Sequence, residues 1–426
     1  MFETSLEKEK ALLVGVVHGH LTVEEVEENL AELGLLAKTA GAHISGQIIQ
    51  KRNQPHTALY VGTGKAQEIV SQVELLKVDL VIFDDELSPA QTKNLQKLFE
   101  TARVIDRSAL ILDIFVHHAS SKESKTQVEL AQLQYLLPRL TRAWTHLERQ
   151  RGATSTRGGM GETQIEIDRR LVRNRISALK VDLKKIETQR DTRRKQRGDM
   201  FKVALVGYTN AGKSSLMNLF SDAGVLVENK LFATLDTTVR NVTILDQEIL
   251  LSDTVGFIHK LPHHLVASFK STLQEVSLAD LILIVIDLSD PQYEKHIRTV
   301  NEVLMDLGVT EHDTLTVLNK MDLVADQETL PGALKGNPEA IPVSALRQIN
   351  IDQLEQRIID IRQNDYVIEK LKLDHSQQKL LASLHQSAEV LNINYLETSI
   401  EVEVRLKKGA LDQLLKESLP KDKNNG

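Results

Sequence analysis

The chain contains no cysteine among its 426 residues. That absence excludes disulfides, thiolate zinc sites and a thiol nucleophile, and it fits a reducing compartment. Long apolar runs are missing too. The longest, such as LILIVI at 281–286, fall far short of the roughly 20 residues that span a bilayer. The opening MFETSLEKEK is charged where a signal peptide would carry an apolar core, so a cytoplasmic protein without a membrane span is expected. Overall positive charge is also absent: the formal net is −7, which argues against a general nucleic-acid coat.

What is present is an uneven distribution of charge. Residues 138–200 hold 17 Lys/Arg against 8 Asp/Glu, a local +9 that leaves −16 for the remainder. Such a basic segment is either an electrostatic footprint for RNA or a solvated helix face, and charge alone does not choose. Composition is ordinary for a soluble globular protein, with 41% hydrophobic and 26% charged residues. The length predicts about two to four domains.

Residues 1–120 alternate strand-like and helix-like stretches: ALLVGVV (11–17), TVEEVEENLAELGLLAKTA (22–40) and DLVIFDDEL (79–87). They predict a small α/β domain. YVGTGKAQEI (60–69) resembles a phosphate loop only superficially, because no glycine stands five residues before Gly64; it reads as a turn opening a helix. Residues 121–198 carry two apolar stripes at helical spacing. One is Leu130, Leu133, Leu137, Leu140, Trp144 and Leu147; the other is Val172, Ile176, Leu179, Leu183 and Ile186. A long antiparallel helical hairpin is expected, with Pro138 bending the first helix and a second helix running from about Thr163 to Lys195, about 50 Å long. RGATSTRGGMGETQ (151–164) would be its tip, where Arg151 and Arg157 suit phosphate-rich RNA. Residues 366–426 form a remainder in which SIEVEVRL (399–406) reads as a half-buried strand flanked by helical segments.

The chemistry lies in 199–365, which reads as a doubly wound, mostly parallel sheet with strands in FKVALVG, RNVTIL, EILLSD, LILIVID, TLTVLNK and AIPVSA. GYTNAGKSS follows the first strand and satisfies G-x-x-x-x-G-K-[ST]. The loop Gly207, Tyr208, Thr209, Asn210, Ala211, Gly212, Lys213, Ser214 and Ser215 would offer backbone N–H groups to phosphate at a helix start. Lys213 would neutralise the β- and γ-phosphates, and Ser214 would ligate Mg²⁺. In the next motif Asp253, Thr254, Val255 and Gly256 close a strand; Asp253 would hold Mg²⁺ through water and the Gly256 N–H would meet the γ-phosphate. NKMD follows another strand. There Asp322 can accept from guanine N1–H and the 2-amino group, which adenine cannot supply, while Asn319 braces the loop and the Lys320 stem covers the ring. Ser344, Ala345 and Leu346 complete the base pocket, with the Ala345 N–H expected at guanine O6. Four motifs in this order, each at a strand end, point to GTP and GDP as ligands. Of Thr234, Thr237 and Thr238 in the intervening loop, Thr234 is the preferred Mg²⁺ ligand of the GTP state. Lys213, Thr234 and Gly256 are therefore the catalytic candidates.

Two further positions bear on the reaction. Phe257 stands where Ras-like proteins carry a water-orienting glutamine, so slow intrinsic hydrolysis with outside stimulation is expected. Asn210 occupies the place where potassium-dependent GTPases have an asparagine, which makes K⁺ a candidate cofactor beside Mg²⁺.

Over nearly its whole length the sequence resembles the HflX family of ribosome-associated GTPases. The resemblance rests on RSALILDIFVHHA (107–119), HLERQ (146–150), GETQIEIDRRLVRNRI (161–176), GYTNAGKS (207–214), LFATLD (231–236) and DTVGFIHKLPHHLVASFKSTLQE (253–275). It implies a protein that binds the large ribosomal subunit and its rRNA and splits or rescues stalled or idle ribosomes, notably under stress. Its hairpin would approach rRNA and its GTPase domain the factor-binding region. The tip departs from the family pattern: Ala153, Thr154 and Ser155 replace glycine-rich sequence, and Gly159-Met160 stands where one proline is usual. Thr237 likewise replaces a common proline. Two alternatives stay open at this stage: a GTP-dependent switch for a protein partner with a dimerising hairpin, and a GTPase of RNA modification or subunit assembly. The sequence itself calls for no oligomer.

Overall fold

The computed structural model describes residues 9–140, 164–196, 200–221, 231–232, 235–236, 238–260, 275–309, 312–324, 329–364, 366–375, 377–396 and 398–407. Trp144, Leu147, Arg151, Arg157, Thr234 and Thr237 lie outside them.

The first sheet has strands β1 (Lys10–Val17), β2 (His43–Lys51), β3 (Leu80–Phe83) and β4 (Arg103–Asp106), all parallel in the order β2-β1-β3-β4. Burial on both faces explains the unbroken apolar run of β1. Helices α1 (Val23–Thr39), α2 (Thr63–Leu76) and α3 (Pro89–Leu98) make the crossovers, and α4 (Arg107–His118) follows the last strand. Their starts are written locally. Thr22 and Glu25 form a capping box before α1, Ser88 and Gln91 another before α3, and Asp106 caps α4 through the Ala109 N–H. The stretch at 60–69 is a turn opening α2, with Gly62 as its N-cap. Because β3 ends at Phe83, Asp84 and Asp85 sit just past the strand, at the sheet edge where doubly wound folds collect function.

Helix α5 (Lys122–Leu136) ends in a 3-10 turn, Leu137–Arg139, at Pro138. Helix α6 (Gln164–Gln196) returns alongside it. Contacts run in opposite senses along the two: Arg169 donates to the Leu140 carbonyl, Arg175 pairs with Glu129, and Arg190 pairs with Glu123. The hairpin is therefore antiparallel. Leu130, Leu140 and Leu179 from the two stripes are buried within this single chain.

The second sheet has β5 (Phe201–Gly207), β6 (Thr238–Ile244), β7 (Gln247–Asp253), β8 (Leu281–Asp287), β9 (Asp313–Asn319) and β10 (Ile341–Pro342), in the order β10-β9-β8-β5-β7-β6. Only β6 runs antiparallel, to β7. Around it lie α7 (Lys213–Ser221), α8 (Tyr293–Asp306), α9 (Thr329–Gly336) and α10 (Ile351–Asn364). The C-terminal ends of β5, β7, β8 and β9 converge at one rim, which brings together motifs more than a hundred residues apart.

Residues 366–426, expected to be a small α/β region, do contain the strand SIEVEVRL, but its expected helical flank differs. SIEVEVRL is not flanked by helices alone: β13 (Ile400–Lys407) is the centre of an antiparallel sheet β11-β13-β12, with β11 (Tyr366–Leu373), α11 (Gln378–Ser387) and β12 (Glu389–Tyr395). Ile400, Val402 and Val404 pack on Leu373, Leu380 and Leu384. Charged and amide residues scattered through YVIEKLKL and EVLNINY mask the alternation that marks β13.

Candidate functional site

The phosphate loop leaves β5 at Gly207, where a Cβ would meet the Val285 carbonyl oxygen at 2.1 Å; no side chain fits. At Gly212 the backbone is left-handed (φ 95°), and a Cβ would lie 2.1 Å from Asn319 Nδ2. Lys213 opens α7 and turns its ammonium back onto the loop, donating to the carbonyls of Gly207 at 3.1 Å and Tyr208 at 2.8 Å. Burial pulls its pKa down to about 8, against the opposing pull of Asp253. Next to it the Ser214 hydroxyl donates to Asp253 Oδ2 at 2.7 Å. Asp253 Oδ1 is buried without a hydrogen-bond partner, and burial raises the pKa of this carboxyl. A hydroxyl beside an under-satisfied carboxylate at a phosphate loop is the donor set a hard divalent cation takes.

The segment after β7 presses against the loop. Thr254 donates its hydroxyl to the Leu205 carbonyl at 2.7 Å, and Val255 is buried. Gly256 lies so near that a Cβ would be 2.8 Å from Thr209 Cα and 3.0 Å from Lys213 Nζ. Phe257 N–H donates to the Gly207 carbonyl at 3.0 Å and its carbonyl accepts from the Thr209 N–H at 2.8 Å. The Phe257 ring is buried with Ala204, Val206 and Ile284, a packing role.

The base-reading residues converge on the same rim. Asn319 donates to the Ala211 carbonyl at 2.9 Å and accepts from the Ala345 N–H at 3.0 Å. The Ala345 N–H, the group expected at guanine O6, is held by Asn319 in this conformation. Lys320, left-handed at φ 62°, pairs with Asp287 at 2.6 Å. Asp322 sits in the turn Met321–Leu323, 4.0 Å from the Arg347 guanidinium. Ser344 is buried and accepts from the Arg347 N–H, whereas Leu346 is exposed. Asn210 is exposed and left-handed, at φ 62°. Ser215 is half-buried in the first turn of α7.

Sequence reasoning missed what surrounds this rim. Tyr208 turns its side chain toward the first sheet, stacking on His296 with centroids 3.8 Å apart. Its hydroxyl donates to Glu32 and accepts from the His259 N–H at 2.6 Å. Arg107, fully buried, bonds Glu32, Asp84 at 2.8 Å and the His259 carbonyl at 2.9 Å. Lys260 reaches Asp84 and Asp85, each at 2.5 Å. Burial alone would raise the Asp84 pKa, but the Arg107 and Lys260 charges outweigh it and hold the carboxyl below its ordinary value. Asp236 accepts from the N–H and hydroxyl groups of Ser120 and Ser121, over 2.5–3.2 Å, at the start of α5. The signals in sequence were faint: an arginine heading the apolar run SALILDIF, and an acidic pair ending VIF.

A phosphate loop, a DTVG turn and an NKMD turn brought to one rim of a parallel sheet define a P-loop GTPase. Three family models match along the chain. "GTP-binding GTPase N-terminal" covers residues 27–116, "GTP-binding GTPase Middle Region" 118–197 and "50S ribosome-binding GTPase" 202–320. The chain is 42% identical to GTPase HflX of Magnetococcus marinus, with 97% of this chain and 96% of that one covered. It is 42% identical to GTPase HflX of Escherichia coli strain K12, at 95% and 95%. Against GTPase HflX of Flavobacterium psychrophilum identity is 51% over 314 residues, or 74% of this chain and 76% of that one. Among solved structures, it is similar to a GTP-binding protein from Sulfolobus solfataricus in complex with GDP, at 26% identity and a TM-score of 0.43, covering 83% and 98%. This chain belongs to the HflX family of GTPases, and it binds and hydrolyses GTP. Among the described residues, no helix is long and apolar enough to cross a membrane.

Proposed function

We propose that this GTPase acts on the large ribosomal subunit, contacting rRNA through its basic hairpin, and that it splits or rescues stalled or idle ribosomes under stress. The observation that carries the reading is the match of residues 202–320 to a family described as a 50S ribosome-binding GTPase. The hairpin supports it. Arg170, Arg173, Lys180, Lys184 and Lys185 are exposed along α6, and Arg151 and Arg157 of the tip are assigned to the same contact. A dimerising coiled coil is the weaker reading, because Leu130 and Leu179 are already buried within one chain.

Mg²⁺ is the assigned cofactor, with Ser214 as a ligand, Asp253 holding it through water and Thr234 as the ligand added in the GTP state; it would neutralise charge on the transferring phosphoryl group. K⁺ beside Asn210 is the second assignment. Nothing on the buried Phe257 ring can hold the attacking water, so intrinsic hydrolysis is slow and the ribosome supplies the stimulation. The protein works in the cytoplasm, where its target is.

Sedimentation tests the reading. With a non-hydrolysable GTP analogue the protein should pellet with large subunits, less so with GDP, and less as salt rises. A protein that ignores subunits but self-associates through 125–195 would overturn it in favour of the protein-binding switch.

A further inference from the structure

Both segments that a γ-phosphate must attract are held, in this conformation, by the N-terminal domain and the start of the hairpin. The first comprises Leu231, Phe232, Leu235 and Asp236. Leu231, Phe232 and Leu235 are buried in a core shared with Leu110, Ile114 and Phe115, and the rings of Phe115 and Phe232 meet edge to face at 4.7 Å. Asp236 finishes the attachment with four hydrogen bonds from Ser120 and Ser121. The second is 255–260. Val255 and Ile258 enter the same core, the His259 carbonyl accepts from Arg107, and Lys260 lies between Asp84 and Asp85. Lys260 holds a left-handed backbone (φ 54°), an uncommon conformation for a residue with a side chain.

Meanwhile Gly256 is packed against Thr209 and Lys213, and the Thr209 N–H is bonded to Phe257. A γ-phosphate placed beside Lys213 would meet that segment, which a diphosphate, one phosphate shorter, would not reach. We propose that Asp236 and Lys260 are the residues through which the N-terminal domain sets the preference between GTP and GDP, by competing with the γ-phosphate for the two segments.

The argument is one of linkage. A ligand shifts an equilibrium only by its differential affinity for the two states, so the docked state subtracts from GTP affinity and leaves GDP affinity alone. Weakening either anchor raises GTP affinity toward its undocked value. Reciprocally, GTP loosens Asp236 from the start of α5, which carries the nucleotide state to the hairpin. The inference needs only nucleotide binding and does not rest on the ribosomal reading.

The test is made on the full-length purified protein with fluorescent GDP and a fluorescent, non-hydrolysable GTP analogue. Asp236→Asn and Lys260→Met should each tighten the GTP analogue by about 5- to 20-fold while GDP affinity stays within about twofold. Ser120→Ala with Ser121→Ala removes the two hydroxyl donors to Asp236 from the N-terminal side, away from the nucleotide, and leaves the two backbone N–H donors. It should give a smaller gain, selective for the GTP analogue in the same way, that does not add to Asp236→Asn. Should Lys260→Met fail to fold, Asp85→Asn removes half of its partner pair and carries the same expectation. Equal changes for both nucleotides, or no change in either for variants that fold, would overturn the proposal.

Discussion

The side chain of Asn319 donates to the carbonyl of Ala211 at 2.9 Å, joining the base-reading turn to the phosphate loop 108 positions earlier in the chain. Its other end accepts from Ala345, so one amide spans three motifs. Asn319→Ala would leave the Ala211 carbonyl and Ala345 N–H unpaired and let the loop drift. GTP and GDP should both weaken, by about 10- to 100-fold, in equilibrium titration. Selective loss of one nucleotide would be inconsistent with a bracing role.

Guanine recognition is assigned to a single carboxylate. Asp322→Asn should exchange two acceptors for a donor and an acceptor, lowering guanine nucleotide affinity by about 100-fold and favouring xanthine nucleotides. Competition between GTP and XTP reads this directly, and unchanged guanine selectivity would refute the assignment.

Gly256→Ala puts a methyl group 2.8 Å from Thr209 Cα. The displaced segment could no longer bring the residue 256 N–H to the γ-phosphate, so hydrolysis should fall by about 100-fold while GDP binding persists. Single-turnover kinetics beside GDP titration separate the two effects.

Arg107 is a buried cation facing Glu32 and Asp84. Arg107→Met would take the guanidinium from both carboxylates, leaving Asp84 to Lys260 and Glu32 to the Tyr208 hydroxyl, at a cost of about 3 kcal/mol in stability. Chemical denaturation measures it, and Arg107→Lys should recover part of the loss by keeping the charge.

Acid should loosen the contact between the N-terminal and GTPase domains. Burial lowers the pKa of His259 and of His296; for His259 the Lys295 charge adds to this, while Glu32 opposes it, as Asp290 does for His296. A depressed histidine binds fewer protons folded than unfolded. The stability it contributes is fully present above its unfolded pKa of about 6.5 and is lost as pH falls from there through its lower folded pKa. Asp84, also depressed, contributes above its own unfolded pKa and fails only in stronger acid, below about 4. Thermal unfolding between pH 8 and 5 should show Tm falling on acidification, and His296→Gln should flatten the slope.

Much of the nucleotide rim was legible because its residues obey local rules. Gly207 and Gly212 stand where a Cβ cannot, and Asp253 and Asn319 end apolar strands whose direction fixes the rim. The capping boxes of Thr22 with Glu25 and Ser88 with Gln91 obey a local rule too, although they emerge only with the structure. The turn of Tyr208 toward Glu32, or the grip of Ser120 on Asp236, had no such signature, since partners 176 and 116 positions apart meet only after both sheets exist. The C-terminal sheet was hidden for another reason. Its outer strands are rich in Glu, Lys and Asn, and their pairing depends on a central strand that lies later in the chain.

Leu231, Phe232, Leu235, Val255 and Ile258 belong by sequence to the GTPase region but are buried in the core of the domain that precedes it. The nucleotide machinery is thus not a self-contained module. Cut free at about residue 199, it would present a greasy face made of its own moving parts and would tend to stick to copies of itself. Swapping this region between relatives would succeed only if the matching face travelled with it, so drift in one domain constrains drift in the other.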